Sequence, residues 1–155
     1  MKATLQSFQY SLAYLCEQVE DIDAAEMVRR PKGITIHPAW IIGHLTFSCQ
    51  AIGGEFGLSP WLPDEWAGKF GGGSTPVENE AEYPGKRESL SMLDDARTRV
   101  VQAVGELSET QFDQALPDET FRAVLPTVRH AITQVLVGHT AYHVGQVSLW
   151  RAAMG

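Results

Sequence analysis

The sequence predicts an all-α protein, a four-helix bundle with a long loop between its second and third helices. Two observations carry this. Apolar residues recur at alternating intervals of three and four in four long stretches, and no stretch alternates in the manner of a strand. The 155 residues suffice for one compact domain with a real core, expected over 1–155, and not comfortably for two.

The first helix is expected from about Thr4 to Val28, with Leu5, Phe8, Leu12, Leu15, Val19 and Ile22 on one stripe. The stretch RRPKG ends it, because Pro31 cannot continue a helix and Gly33 favours a turn. The second helix opens at HPAWIIGHL. Pro38 suits the first helical position, which puts His37 near the N-cap. Gly53, Gly54 and Gly57 weaken its end.

Residues 58–85 then form a long connection, rich in Pro and Gly yet holding Trp61, Trp66, Phe70 and Tyr83. Aromatics in such a loop usually cover something apolar, so a short helix near Asp64–Gly68 is expected, with the aromatics either packing on the bundle end or roofing a site. The third helix runs from Lys86 to about Leu107. Ser108 to Gln111 fits a capping box, so a short helix comes next. After the connection LPDETFRAVLP, the fourth helix starts from Thr127 as N-cap. Its inward stripe is Val128, Ile132, Val135, His139, Tyr142/His143, Gln146 and Trp150.

Composition narrows the function. The net charge of −7 repels phosphate backbones and anionic lipid, so neither nucleic acid nor membrane is an expected partner. No run approaches the roughly 18 apolar residues of a membrane span, and the N-terminus lacks a leader pattern. The two cysteines, Cys16 and Cys49, have no CxxC spacing. They read as reduced, buried small hydrophobes, and the protein as cytoplasmic.

The stretch LVGHTAYHVGQ, residues 136–146, places two imidazoles four residues apart on the core stripe, a spacing at which they can share a metal ion. WIIGHLTFS in the second helix resembles VLVGHTAYH in the fourth. Aligned, His44 matches His139 and Ser48 matches His143. Gly43 and Gly138 beside the histidines leave room for close helix approach or for a ligand. Geometry sets the other two histidines aside. His130 lies nine residues before His139, roughly 180° round the helix; His37 lies roughly 10 Å from His44 along the axis. Cys49 is about 140° from His44 and is not a fourth ligand. His44, His139 and His143 remain. Two readings fit that spacing: an open metal site completed by water, or three core histidines satisfied by hydrogen bonds. Zn²⁺, Ni²⁺ and Fe²⁺ all suit imidazole.

AWIIGHL, YPGKRESL and above all GHTAYHVGQVSLWRAAMG make the chain resemble the DinB-like/YfiT-like superfamily of small four-helix bundles, over nearly its whole length. The final match falls on His139, His143, Gly145, Gln146, Arg151 and Gly155. The resemblance implies a divalent metal bound by one histidine of the second helix and two of the fourth: His44, His139 and His143. It also implies a homodimer, and activities among thiol-dependent transferases and isomerases and metal-dependent hydrolases.

The expected function is therefore metal-dependent chemistry on a small molecule. The metal would bring bound water, or a low-molecular-weight thiol, to a pKa near neutrality as the nucleophile. The alternative is a non-catalytic metal-binding or stress-response module. Gln146, Ser48 and Tyr142 are candidates for the pocket around the metal ligands. Glu55 lies about 20° off the face of His44 but some three turns on, as a pocket acid or base or a solvated helix end.

Overall fold

The computed structural model describes residues 1–155. Four long helical rods form the bundle: α1 (Lys2–Val19), α2 (Pro38–Gly54), α4 (Lys86–Glu106) and a broken last rod made of α7 (Val128–Thr133), a π-helical turn (Gln134–His139) and α8 (Thr140–Met154). Short helices α3 (Trp66–Phe70), α5 (Glu109–Phe112) and α6 (Glu119–Arg122) lie in the connections. There is no strand, only an isolated bridge between Ala115 and Thr127. Round the bundle, α1 packs on α8 and α4, and α2 packs on α4 and α8, which closes a ring of four. The buried apolar side chains form one cluster of 28 residues, with Leu15, Ile41, Ile42, Val100, Ile132 and Leu136 at its centre. No helix is long and apolar enough to cross a membrane.

α1 is shorter than its apolar stripe predicts: it stops at Val19, and a separate 3-10 turn covers Glu26–Val28. Donors from other helices explain the stop. Arg151 Nη1 donates to the Gln18 carbonyl and pairs with Asp21 at 2.6 Å. Lys86 Nζ donates to the carbonyls of Glu20 and Ile22 at 2.9 and 2.6 Å. Carbonyls left open at a helix end need such partners, and here the neighbouring rods provide them. Gly33 turns the chain back with φ of 87°.

Pro38 and the N-cap His37 start α2 as expected, with His37 Nδ1 accepting the Trp40 N–H at 3.2 Å. His37 is fully buried, and its other ring nitrogen meets the Val77 carbonyl at 3.1 Å. The ring therefore ties the long connection to the start of α2. The capping box Ser108–Gln111 forms and starts α5. Thr127 precedes α7, but its hydroxyl contacts the His130 ring at 2.8 Å and caps no backbone N–H. Cys49 is buried, which pushes its thiol up to about 12. Cys16, expected in the core, is exposed, because it faces a groove between α1 and α4 beside Asp94 and Arg97.

The π turn departs from the single α-helix expected after Thr127. Thr140 directs both its N–H and its hydroxyl at the Val135 carbonyl, five residues back, the latter at 3.0 Å. One extra residue in the turn rotates the rest of the rod by about 100°. Thr140, 2% exposed, therefore takes the stripe of Ile132, and His139 turns to the flank.

Trp150 is wholly buried and donates through Nε1 to the Arg29 carbonyl at 2.7 Å, joining α8 to the chain after α1. Trp150→Ala is expected to destabilise the protein by about 3–5 kcal/mol in urea unfolding, whereas Leu149→Ala, at an exposed neighbour, should stay within about 0.5 kcal/mol.

Candidate metal centre

α2 contributes His44 and the last rod contributes His139 and His143. Their Nε2 atoms converge: His139 Nε2 lies 3.0 Å from His44 Nε2 and 3.1 Å from His143 Nε2. The three form a group of side chains able to hold one ion. His139 closes the π turn and His143 stands four residues on in α8, with ring centroids at 4.5 Å.

Hydrogen bonds on the far nitrogens decide the protonation. His44 Nδ1–H donates to the Phe70 carbonyl at 2.6 Å, since a carbonyl only accepts. His143 Nδ1–H donates to Gln146 Oε1 at 2.7 Å. In each neutral ring the inward Nε2 is then a bare lone pair. His139 Nε2 can donate a proton to one of these neighbours at most, so in the other short approach a lone pair faces a nitrogen with no proton between them. His139 Nδ1 is buried and has no partner. A divalent cation removes the conflict, because it accepts all three lone pairs. Zinc–imidazole bonds of 2.0–2.1 Å in a tetrahedron require nitrogens about 3.3 Å apart, a spread of a few tenths of an ångström from those seen. The residues present fit a metal ion.

Burial holds the ligands neutral. Burial foremost, and the neighbouring His44 ring as a smaller cause, lower the His139 and His143 imidazoles to about 4. Burial also lowers His44, opposed by its bond to the Phe70 carbonyl. Trp40 stacks on the His44 ring, centroids 4.7 Å apart and planes 9° from parallel. Its Nε1 donates to the Lys69 carbonyl and Ser74 Oγ, so the stack is itself anchored.

Gly43 has a specific reason to be glycine. A Cβ there would lie 2.1 Å from the Phe70 ring. Only a bare α-carbon lets α3 approach closely enough for the Phe70 carbonyl to reach His44. At Gly138 a Cβ would meet only the end of the Gln134 side chain, at 3.0 Å. The two Gly-His pairs thus look alike in sequence and differ in role.

His44 and His139 open onto a cavity of about 350 Å³. Its floor is the α2 face of Phe47, Ser48, Ala51 and Ile52, and its far wall is Leu116, Phe121 and Leu125. Ser48 lines it, although its hydroxyl donates to the His44 backbone carbonyl at 2.7 Å. Gln146 touches His143 and does not line the cavity. Tyr142 is 63% exposed, its ring 5.1 Å from that of His143 on the outer side. His130 is exposed and far from the group, as its position on the helix predicts. The aromatic connection reaches the centre through the Phe70 backbone and through Gly72 at the cavity edge, while the Trp66 and Phe70 rings pack into the core. Sequence reasoning missed Trp40, the Phe70 carbonyl and the 116–125 wall. For the wall, the apolar spacing of Leu116, Phe121 and Leu125 was the available signal.

The sequence profile of the DinB superfamily matches residues 8–147. The crystal structure of the conserved protein of locus from Enterococcus faecalis is similar in fold, with a TM-score of 0.73 at 13% identity, over 98% of this chain and 95% of that one. No curated protein matches the chain.

The hydrogen bonds and the burial each carry an expected outcome. Gln146→Leu should weaken zinc affinity about 10- to 100-fold in a chelator competition titration, with helicity unchanged, because it frees the His143 ring. In chelator-treated protein the denaturation midpoint should fall as pH drops from 6.5 toward 4. Over that range the unfolded imidazoles, with pKa 6.5, take protons that folded His139 and His143 refuse, and below about 4 the effect levels off. A flat profile across that range would contradict the burial of these rings.

Proposed function

The chain belongs to the DinB superfamily, and on that premise we propose that it is a divalent-metal-dependent enzyme acting on a small molecule, with His44, His139 and His143 as the metal ligands. The observation that supports this best is the convergence of three Nε2 atoms, with the rings of His44 and His139 lining an open cavity. Three protein ligands leave a coordination position free, whereas structural zinc is closed by four, which favours catalysis over a purely structural ion. Imidazole donors suit zinc, nickel or iron.

When bound, such an ion supplies Lewis acidity to a water or a thiol beside it. The reaction classes that use this are hydrolysis and thiol-dependent group transfer. The chain's own residues prepare the site. The Phe70 carbonyl and the Gln146 side chain fix two imidazoles in the tautomer that leaves Nε2 free. Trp40 covers one face of His44 and keeps water from it. Phe47, Ile52 and Leu125 surround the approach with apolar surface, which strengthens electrostatic interactions at the imidazoles.

Residues 1–155 act in this reading as one domain. A homodimer is part of it too, supported by the exposed Tyr10 and Tyr14 on α1 and Tyr142 on α8, two rods that pack side by side.

Elemental analysis of purified protein beside His139→Ala tests the proposal. About one transition-metal ion per chain is expected in the wild type and none in the variant, with unchanged circular dichroism. Absence of metal from both, even after incubation with Zn²⁺ or Ni²⁺, would overturn it.

A further inference from the structure

We infer that the cavity beside His44 and His139 takes an apolar small molecule bearing a cationic amine, with the amine at Glu55. The inference rests on the reading of this cavity as a substrate site and names the chemistry of its occupant. α2 supplies both ends. Glu55 follows His44 by eleven residues, which puts it about 20° off the same face and about 16 Å further along the axis. Phe47, Ala51 and Ile52 lie between them as a continuous apolar floor.

The ionisable side chains of the cavity, apart from its two imidazoles, are Glu55 and Asp118. Neither Lys nor Arg lines it. Arg122, next to the wall, is committed elsewhere: it donates to the Leu116 and Pro117 carbonyls at 2.6 and 3.0 Å and faces Glu119. Glu55 is half-buried and forms no ion pair. One of its oxygens accepts the Asp118 N–H at 3.0 Å, which holds the carboxylate in place and leaves the other oxygen without a protein partner. The Asp118 side chain caps α6 through the Thr120 N–H at 2.8 Å and likewise meets no cation.

The cavity is therefore polarised along its length, with lone-pair donors for a metal at one end and uncompensated carboxylate at the other. An ammonium group satisfies the carboxylate end and an apolar body covers the floor. An anion of the same length meets two like charges and no counter-charge there. The volume, near the small end of ligand sites, fits a molecule of modest size.

Amide NMR titrations at pH 7 with hexylamine, hexanoate and 1-hexanol test this, on the protein as purified and after chelation. Hexylamine should bind at least tenfold more tightly than hexanoate to the chelated protein and shift the amides of Ala51, Glu55 and Val135. Glu55→Gln should cut the affinity for hexylamine at least fivefold and leave that for hexanol unchanged, which separates loss of charge from loss of fold. Hexanoate binding to the chelated wild type as well as hexylamine would overturn the inference, as would a preference that survives Glu55→Gln. A chain that binds no metal but prefers hexylamine would sink the metal reading alone, and a metal-binding chain without the preference would sink this one alone.

Discussion

The hydrogen bond from His44 Nδ1–H to the Phe70 carbonyl is the contact on which the centre depends. It makes three separate features of the chain necessary to one another. The acceptor is a backbone carbonyl at the end of α3, so the long connection must fold down onto α2. The Phe70 ring must then enter the space above Gly43, where no larger residue fits. And the His44 ring, once its outer nitrogen is committed, can present only a lone pair inward. His37 closes the same connection from its other side by holding Val77. The connection is therefore long for a physical reason: it must pass over α2, deliver one carbonyl and return to start α4.

On the opposite side the comparable device is the π turn. In an unbroken α-helix His139 would follow Ile132 into the centre of the core, where an imidazole without partners costs heavily in desolvation. The extra residue puts Thr140 in that place, with its hydroxyl satisfied by the Val135 carbonyl. His139 moves out to the cavity wall, next to His44. A π turn sacrifices regular hydrogen bonding, and such turns are frequent at functional sites. The unpartnered His139 Nδ1 belongs to the same compromise: of the three rings, His139 is the one that no second residue orients.

Much of this was legible in the sequence, and the limits have identifiable causes. The three rods α1, α2 and α4 followed from apolar periodicity, and the histidine trio from spacing along two helices, because both depend only on regular helix geometry. α1 was read too long because Ile22 continues its stripe, while the donors that end it come from Lys86 and Arg151, distant in sequence. The Phe70 carbonyl was invisible because a backbone acceptor leaves no trace in residue identity. Its only mark was Gly43, which the matching Gly138 disguised as one half of a repeat. Tyr142 was placed inward by a stripe drawn through an unbroken helix, and the π turn had displaced that stripe. Glu55 was left between a pocket acid or base and a solvated helix end, since nothing local reveals that residues 116–125 cross over and enclose it.

The separation of the two ends of the cavity explains why a carboxylate on nearly the same face of α2 does not join the three imidazoles. Glu55 sits on nearly the same face of α2 as His44, yet about 16 Å further along a rigid rod. It cannot reach the imidazoles without unwinding the helix, and its bond to the Asp118 N–H holds it where it is. The group at that end of the cavity therefore stays at three imidazole nitrogens, and in the proposed metal site a coordination position would stay open. A carboxylate one or two turns nearer would close that position and turn an open site into a sealed one. The same rod that carries His44 thus keeps the acidic end of the cavity at a distance from the imidazole group.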